Sequence, residues 1–178
     1  MKIVAFGASI SKNSINKAFA HIVASRFEGH DINLLDLNTF PLPAFSVDIE
    51  KEPQYVAIVQ DFVSTVQLAD LLVISMAEHN RSMTAAFKSL IDWSSRVQYD
   101  FLKGKKILLL STSPGGFGGQ NSLGLAIKIL PMFGAEIINT FPLPKFYENF
   151  TPENGIVNGE LGKALEDILA DTKAKLEW

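Results

Sequence analysis

Apolar runs alternate with segments of helical periodicity along the whole chain. Four runs, at residues 2–6, 70–75, 105–111 and 135–141, are apolar enough to be strands buried on both faces. A fifth run, DINLLDL at 31–37, alternates in polarity and predicts an edge strand. Helical spacing occurs in five segments, at residues 14–27, 53–67, 83–96, 121–132 and 159–176. Because parallel neighbours need a crossover long enough for a helix, this alternation predicts a parallel sheet with helices on both faces.

Five strands and five helices in 178 residues predict an α/β fold of flavodoxin-like type. This fold is a three-layer sandwich around a five-stranded parallel sheet of order 2-1-3-4-5, whereas the two-halved Rossmann arrangement generally needs a longer chain. We therefore expect a single domain, residues 1–178. In such sheets ligands bind beyond the carboxyl ends of the strands, so the loops after the first, third and fourth strands are predicted to carry the function.

Composition restricts the possible functions. The net charge is −3 and no cluster of lysine and arginine occurs, so nucleic-acid binding is not expected. The chain has no cysteine, which excludes disulfides, thiolate metal sites and cysteine nucleophiles; no metal site is predicted, and redox chemistry would need a bound cofactor. We expect a cytoplasmic protein without a membrane partner, because residues 3–6 are too short for a signal peptide and no later stretch approaches a membrane span.

The loop after the first strand, GASISKNSIN at residues 7–16, brings polar side chains to the start of a helix. After a turn at Gly7, four of them can converge: Ser9, Ser11, Ser14 and Asn16. Free N–H groups and the helix dipole favour a phosphate at such an end, and Lys12 is the only local positive charge. A single capping residue would explain one hydroxyl, but the excess favours a phosphate site. The motifs GxxxxGK[ST] and GxGxxG are both absent from this loop, which disfavours a nucleoside triphosphatase or an ordinary dinucleotide-binding domain.

Two further loops are predicted at the same edge of the sheet. The loop after the third strand has EHN at its crest, at residues 78–80, and its histidine fits either an exposed turn or a ligand-binding one. The loop after the fourth strand, STSPGGFGGQNS at 111–122, has four glycines around Phe117. They fit either a flexible loop or a backbone that approaches a flat ligand closely.

Together the three loops resemble the NAD(P)H-dependent FMN reductase family, which includes bacterial flavin, quinone and chromate reductases. The family's GSxRxxSxN is matched by SISKNSIN at residues 9–16, with Ser11 in place of the arginine. Its second motif, close to PEYNxSxPxxLKNxIDW, is matched by AEHNRSMTAAFKSLIDW at 77–93, where His79 replaces tyrosine and Ala77 and Thr84 replace prolines. The third, SxGxxGG followed by a helix and GA, is matched by SPGGFGG at 113–119 with Gly134-Ala135 downstream.

This resemblance implies an FMN-binding domain with NADPH or NADH as co-substrate. The phosphate would lie at the first loop and the isoalloxazine ring between the second and third. The implied cofactor-binding residues are Ser9, Ser11, Ser14, Ile15 and Asn16 in the first loop, Ala77, Glu78, His79 and Asn80 in the second, and Ser113, Gly115 and Gly116 in the third. No side chain is assigned a catalytic role, because the flavin itself carries the chemistry.

The function implied by the resemblance is transfer of two electrons from NAD(P)H through FMN to a flavin, quinone or similar small-molecule acceptor. Two alternatives remain: a non-enzymatic electron carrier of flavodoxin type, and a flavin-binding sensor that has lost turnover. The resemblance also implies a homodimer or homotetramer. Trp93, Tyr99 and Phe101 are candidate contact residues, although Trp93 fits a core position equally well.

Overall fold

The apolar runs form a central parallel sheet in the computed structural model, which describes residues 1–177. In chain order the strands are β1 (Lys2–Gly7), β2 (Asp31–Leu34), β3 (Leu71–Met76), β4 (Glu78–His79), β5 (Ser82–Met83), β6 (Lys106–Thr112), β7 (Glu136–Leu143), β8 (Phe150–Thr151) and β9 (Gly155–Ile156). Five of them form the sheet, in the order β2-β1-β3-β6-β7, and every neighbouring pair is parallel. Counted among sheet strands alone, this is the predicted order 2-1-3-4-5, so the flavodoxin-like fold is confirmed.

Helices cover both faces of the sheet. They are α1 (Ile15–Ser25), α2 (Pro53–Gln67), α3 (Ala85–Val97), α4 (Gln120–Ile129), α5 (Phe146–Asn149) and α6 (Gly159–Lys175), with 3₁₀ turns at Leu37–Thr39 and Leu130–Phe133. Side chains of Ser14, Thr84 and Asn158 cap α1, α3 and α6, and Pro53 opens α2, as these residue types favour. No helix in residues 1–177 is both long and apolar enough to cross a membrane.

Successive side chains of β1 point to two separate cores. Val4 and Phe6 pack into the cluster beneath α2, α3 and α4, whereas Ile3 and Ala5 pack into the cluster beneath α1 and α6. Strand β3 is buried along its whole length, which explains its uninterrupted apolar sequence. Strand β2 lies at the edge and is largely exposed, as its alternating pattern predicts.

Three local elements differ from the prediction. The helix predicted from residue 83 begins at Ala85, because residues 78–83 form the antiparallel hairpin β4–β5. Helix α4 ends at Ile129 and continues as a 3₁₀ turn that contains Pro131, which has no N–H to donate to a longer α-helix. After β7, helix α5 and the hairpin β8–β9 occupy a stretch for which no element was predicted.

Two of the three candidate contact residues belong to the core of the chain. Trp93 is fully buried and its Nε1 donates to the carbonyl of Pro43 at 3.0 Å, which fastens the long connection before α2. Phe101 is only 2% exposed and packs in the same cluster. The core alternative for Trp93 is therefore confirmed and the contact prediction for Phe101 is wrong. Tyr99, which is 64% exposed, is the only one of the three that stays available for a subunit contact.

Candidate functional site

The loops after β1, β3 and β6 meet at the carboxyl edge of the sheet and enclose an open cleft of about 220 Å³. The cleft is lined by Ser9, Ser11, Asn13, Ser14, Ile15, Asn16, Ala77, Glu78, His79, Thr112, Ser113, Pro114 and Tyr147. Of the predicted site residues, Asn80, Gly115 and Gly116 do not line it; they lie in the same loops, next to residues that do. The three loops that were predicted to carry the function thus converge in the structure, and this convergence is the central feature of the cleft.

The first turn of α1 presents unpaired donors to this cleft. The Ser14 hydroxyl accepts a hydrogen bond from the Lys17 N–H at 3.1 Å, so this serine caps the helix. Within residues 1–177 the N–H groups of Ile15 and Asn16 have no hydrogen-bond partner, as expected for the first turn of a helix. The Ser9 hydroxyl accepts from the Ser11 N–H at 3.1 Å, which forms a local turn within the loop. The hydroxyl protons of these serines and the two free N–H groups make this end suitable for an anion.

Gly7 permits close packing of helix on strand. A Cβ atom at this position would lie 2.3 Å from the backbone nitrogen of Lys17, which no side chain can tolerate. The backbone of Gly7 does not have a positive φ, so the sharp turn expected from sequence is not the reason for the glycine. Its absence of a side chain brings the start of α1 down onto the sheet.

The side chain of Asn16 connects strands and does not point freely into the cleft. Its Oδ1 accepts from the Ser75 hydroxyl at 2.7 Å and from the Thr112 N–H at 3.1 Å. Its Nδ2 donates to the Thr112 carbonyl at 3.1 Å. This buried amide therefore holds α1 against the ends of β3 and β6, and the group of Asn16 that remains for a ligand is its backbone N–H.

The lysines of the first loop and helix do not line the cleft. Lys12 is exposed and lies outside the lining. Lys17 forms an ion pair with Asp36 at 2.8 Å. The Lys17 ammonium and then the Asn38 N–H stabilise the Asp36 carboxylate and lower its pKa from 3.8 to about 2. Lys17 is thus committed to joining α1 with the segment after β2.

The crest of the second loop is a tight β-hairpin. Glu78 pairs with Met83 and His79 with Ser82, which leaves a loop of two residues. Both loop residues, Asn80 and Arg81, have positive φ angles of 51° and 63°, the geometry of a type I′ turn. His79 projects from this hairpin as an exposed side chain on the wall of the cleft.

The Glu78 carboxylate caps a neighbouring helix. Its Oε2 accepts from the N–H groups of Asn121 and Ser122 at 2.9 and 3.1 Å, and its Oε1 accepts from Asn121 Nδ2 at 3.0 Å. Helix α4 begins after Gly119, which offers no capping side chain of its own. The negative charge of Glu78 therefore stabilises the N-terminus of α4 and at the same time fixes the hairpin beside the cleft.

The four glycines of the third loop divide into two pairs with different roles. Gly118 and Gly119 have positive φ angles, and a Cβ atom at either would lie 3.1 to 3.2 Å from Leu143 or Ser111. These two shape the start of α4. Around Gly115 and Gly116 nothing lies within 4 Å of a Cβ position, so this part of the loop faces open space. Only the second pair is compatible with close approach of a flat ligand.

Sequence reasoning missed one prominent residue of the cleft. Tyr147 lies on the short helix α5, beyond the last sheet strand, and no predicted element covered it. Asn13, Thr112 and Pro114 were also missed, although each lies within a loop that was identified. The hairpin had a usable signal, because asparagine at a two-residue loop tolerates positive φ. For Tyr147 the sequence has no such signal.

Comparison with known proteins shows the family and the fold of the chain. The family model described as NADPH-dependent FMN reductase matches residues 1–148. An NAD(P)H:quinone oxidoreductase from Solanum tuberosum is 29% identical over 153 residues, which cover 84% of this chain and 75% of the relative. A quinone reductase from Escherichia coli K12 is 27% identical over 143 residues, covering 78% and 74%. The flavoenzyme NAD(P)H:(acceptor) oxidoreductase FerB from Paracoccus denitrificans shares the fold, with a TM-score of 0.80 and 21% identity over 99% of this chain and 96% of FerB.

Proposed function

Since the chain belongs to the NADPH-dependent FMN reductase family, it is an NAD(P)H-dependent flavin oxidoreductase, and we propose that FMN binds in the cleft between its three loops. The single observation that carries this placement is the convergence of those loops at the N-terminus of α1. We further propose that the whole chain forms one FMN-binding domain. The relatives supply no support for a non-enzymatic carrier or a sensor.

The residues of the first loop fit the phosphate of FMN. The free N–H groups of Ile15 and Asn16 and the hydroxyls of Ser9, Ser11 and Ser14 line one region of the cleft. In this arrangement the phosphate accepts hydrogen bonds from neutral donors at the positive end of the helix dipole. The Asn16 side chain acts indirectly, because it orients the backbone that donates.

The second and third loops fit the ring system. Ala77, Glu78 and His79 would contact one part of it through the rigid hairpin, with Asn80 at the turn. Ser113, Gly115 and Gly116 would follow its other side, where open space surrounds both glycines. His79 is exposed and would lie at the face that NAD(P)H and the acceptor approach.

When bound, FMN supplies the two-electron redox chemistry that links NAD(P)H to the acceptor. The protein's own contribution would be to bind and orient the cofactor. Backbone N–H groups would hold the phosphate, and the hairpin that Glu78 fastens to α4 would hold the edge of the ring. No acid or base of the chain is assigned a proton-transfer step. A second flat molecule would approach from the open side of the cleft.

A quinone is the proposed acceptor, because relatives from plants and bacteria are named as quinone reductases. We propose a homodimer or homotetramer in the cytoplasm, consistent with the exposed aromatic side chain of Tyr99. The proposed reaction uses FMN as the cofactor and NADPH or NADH as the co-substrate.

The test combines ligand binding with turnover. Purified protein should quench the fluorescence of added FMN, lose the visible flavin absorbance under anaerobic NAD(P)H, and regain it when a quinone is added. An electron carrier would bind FMN but would not be bleached by NAD(P)H alone. A protein that neither quenches FMN nor is bleached would contradict the proposal.

A negative charge introduced into the cleft tests where the phosphate binds, and the same residue introduced at another helix is the matched control. Ser14→Asp keeps a good helix cap but places a carboxylate against the phosphate, so FMN binding should fall at least tenfold without loss of stability. Asn158→Asp introduces the same cap residue at α6, outside the cleft, and should bind FMN like the wild type. Equal binding by both variants would place the phosphate elsewhere.

A further inference from the structure

The cleft has to hold a phosphate without a cationic side chain. None of the residues that line it in the described part of the chain is lysine or arginine. Three lysines lie within two residues of the lining in sequence. Lys12 is exposed and outside the lining, Lys17 is bound to Asp36 at 2.8 Å, and Lys145 is bound to Glu148 at 3.0 Å. A group with two negative charges therefore depends on neutral donors, and each additional donor has a measurable effect.

Tyr147 is an additional neutral donor at this cleft. It lies in the lining, 72% of its surface is exposed, and its hydroxyl has no hydrogen-bond partner within residues 1–177. Its ring and hydroxyl are therefore accessible to a ligand in the cleft.

The backbone of α5 holds Tyr147 in place. The Lys145 N–H donates to the Gly115 carbonyl at 2.9 Å, and the Phe146 N–H donates to the Ser113 carbonyl at 3.0 Å. These bonds tie the start of α5 to the third loop. Because a tyrosine side chain has only two rotatable bonds, one on a fixed backbone loses little entropy when it binds a ligand.

Aromatic packing places α5 beside the phosphate end. Phe146 stacks on Phe150 with ring centroids 4.6 Å apart, and Phe150 packs edge-on against Phe19 of α1 at 6.0 Å. Phe19 comes directly after the first turn of α1. Tyr147 is therefore carried on the same side of the sheet as α1, whereas the second loop leads into α3 on the opposite side.

We propose that the Tyr147 hydroxyl donates a hydrogen bond to the phosphate of FMN and takes the place of a cationic side chain in this site. This inference rests on the proposed function, since it assumes that FMN occupies the cleft. It adds a ligand-binding residue that the three sequence motifs do not contain.

The test compares FMN with riboflavin, which has the same ring and no phosphate. Dissociation constants are measured by fluorescence quenching for the wild type, Tyr147→Phe and Tyr99→Phe. Tyr147→Phe should weaken FMN binding by about tenfold and leave riboflavin binding unchanged. Tyr99→Phe removes the hydroxyl of another exposed tyrosine outside the cleft and should change neither constant.

The possible outcomes separate this inference from the proposed function. If the wild type binds FMN and Tyr147→Phe binds it equally well, the inference is wrong and the proposed function stands. Equal weakening of FMN and riboflavin would also overturn it, because the hydroxyl would then act on the ring or the ribityl chain. Failure of the wild type to bind FMN would overturn both. A urea unfolding midpoint unchanged by Tyr147→Phe shows that the fold is intact.

Discussion

At position 11 this chain has a neutral hydrogen-bond donor where a charged donor is usual. The related sequence pattern has arginine there, and this chain has a serine that lines the cleft. A hydrogen bond from a charged group contributes about 1.5–3 kcal/mol, so the substitution is expected to make FMN binding weaker than in a site with arginine. In the proposed site the hydroxyl of Tyr147 would offset part of that loss.

Restoring the arginine should strengthen FMN binding. Ser11→Arg places a guanidinium at the open cleft, and the expected gain in affinity is about tenfold to a hundredfold. The gain should shrink as salt is added, because an exposed charge is screened. Fluorescence titration at two salt concentrations measures both effects.

Ser11→Gln is the size control for this substitution, since it adds a long side chain without charge. It should bind FMN about as well as the wild type. If Ser11→Arg gains nothing over Ser11→Gln, the phosphate does not lie beside residue 11.

At the scale of elements, one side chain couples the hairpin β4–β5 to helix α4. Glu78 accepts three hydrogen bonds from Asn121 and Ser122 and thereby supplies the cap that α4 lacks. On the other side, the Thr84 hydroxyl at the start of α3 donates to the Ala8 carbonyl at 2.9 Å and accepts from the Phe87 N–H at 3.2 Å. The second loop is thus fixed to the first and third loops, so the walls of the cleft form a single unit.

Removing the Glu78 carboxylate should loosen this unit. We expect Glu78→Ala to lower the free energy of unfolding by about 1–2 kcal/mol through loss of the cap, and to weaken FMN binding because the hairpin becomes mobile. Urea denaturation and FMN titration measure the two effects.

Glu160→Ala serves as the reference for Glu78→Ala. Glu160 also lies in the first turn of a helix, but α6 keeps its own cap from Asn158, so this variant should lose only a few tenths of a kcal/mol. Equal losses in the two variants would show that Glu78 contributes only a general helix-dipole effect.

At the scale of the whole molecule, two cores share the sheet and an ion pair joins its edge to α1. The upper core, beneath α2, α3 and α4, and the lower core, beneath α1 and α6, both contact β1 and β6. Lys17 on α1 binds Asp36 just after β2, at the edge where apolar burial is least. This pair therefore fastens the exposed edge strand to the helical layer that contains α1.

The same pair predicts how stability depends on acid pH. The pKa of Asp36 is lowered from 3.8 to about 2, so its stabilising effect is complete above pH 3.8 and is lost as the pH falls through about 2. Because the Asp36 side chain is 37% exposed, solvent screening limits the effect to about 1 kcal/mol. The free energy of unfolding, measured by urea denaturation between those pH values, should fall less in Asp36→Asn than in the wild type. Asp61→Asn, which removes a carboxylate with no ion pair in the described chain, should keep the wild-type slope.

The fold was predictable because its signal is local. Runs such as IVAF and LLVI are short and apolar at every position, and that pattern is typical of strands buried on both faces. The three loops could be located because parallel strands all have their carboxyl ends at the same edge of the sheet. The order of strands followed from the number of elements and the chain length, and the structure has that order.

What the tertiary structure alone decided is which polar groups remain free for a ligand. By residue type Asn16 and Glu78 are equally suited to bind a cofactor, yet Asn16 is paired with Thr112, 96 residues away, and Glu78 with the start of α4. Tyr147 reaches the cleft only because Phe146 and Phe150 pack beside α1. Residue type and spacing determine the loops, but a hydrogen bond depends on fractions of an ångström between distant segments, and those distances exist only once both cores are packed.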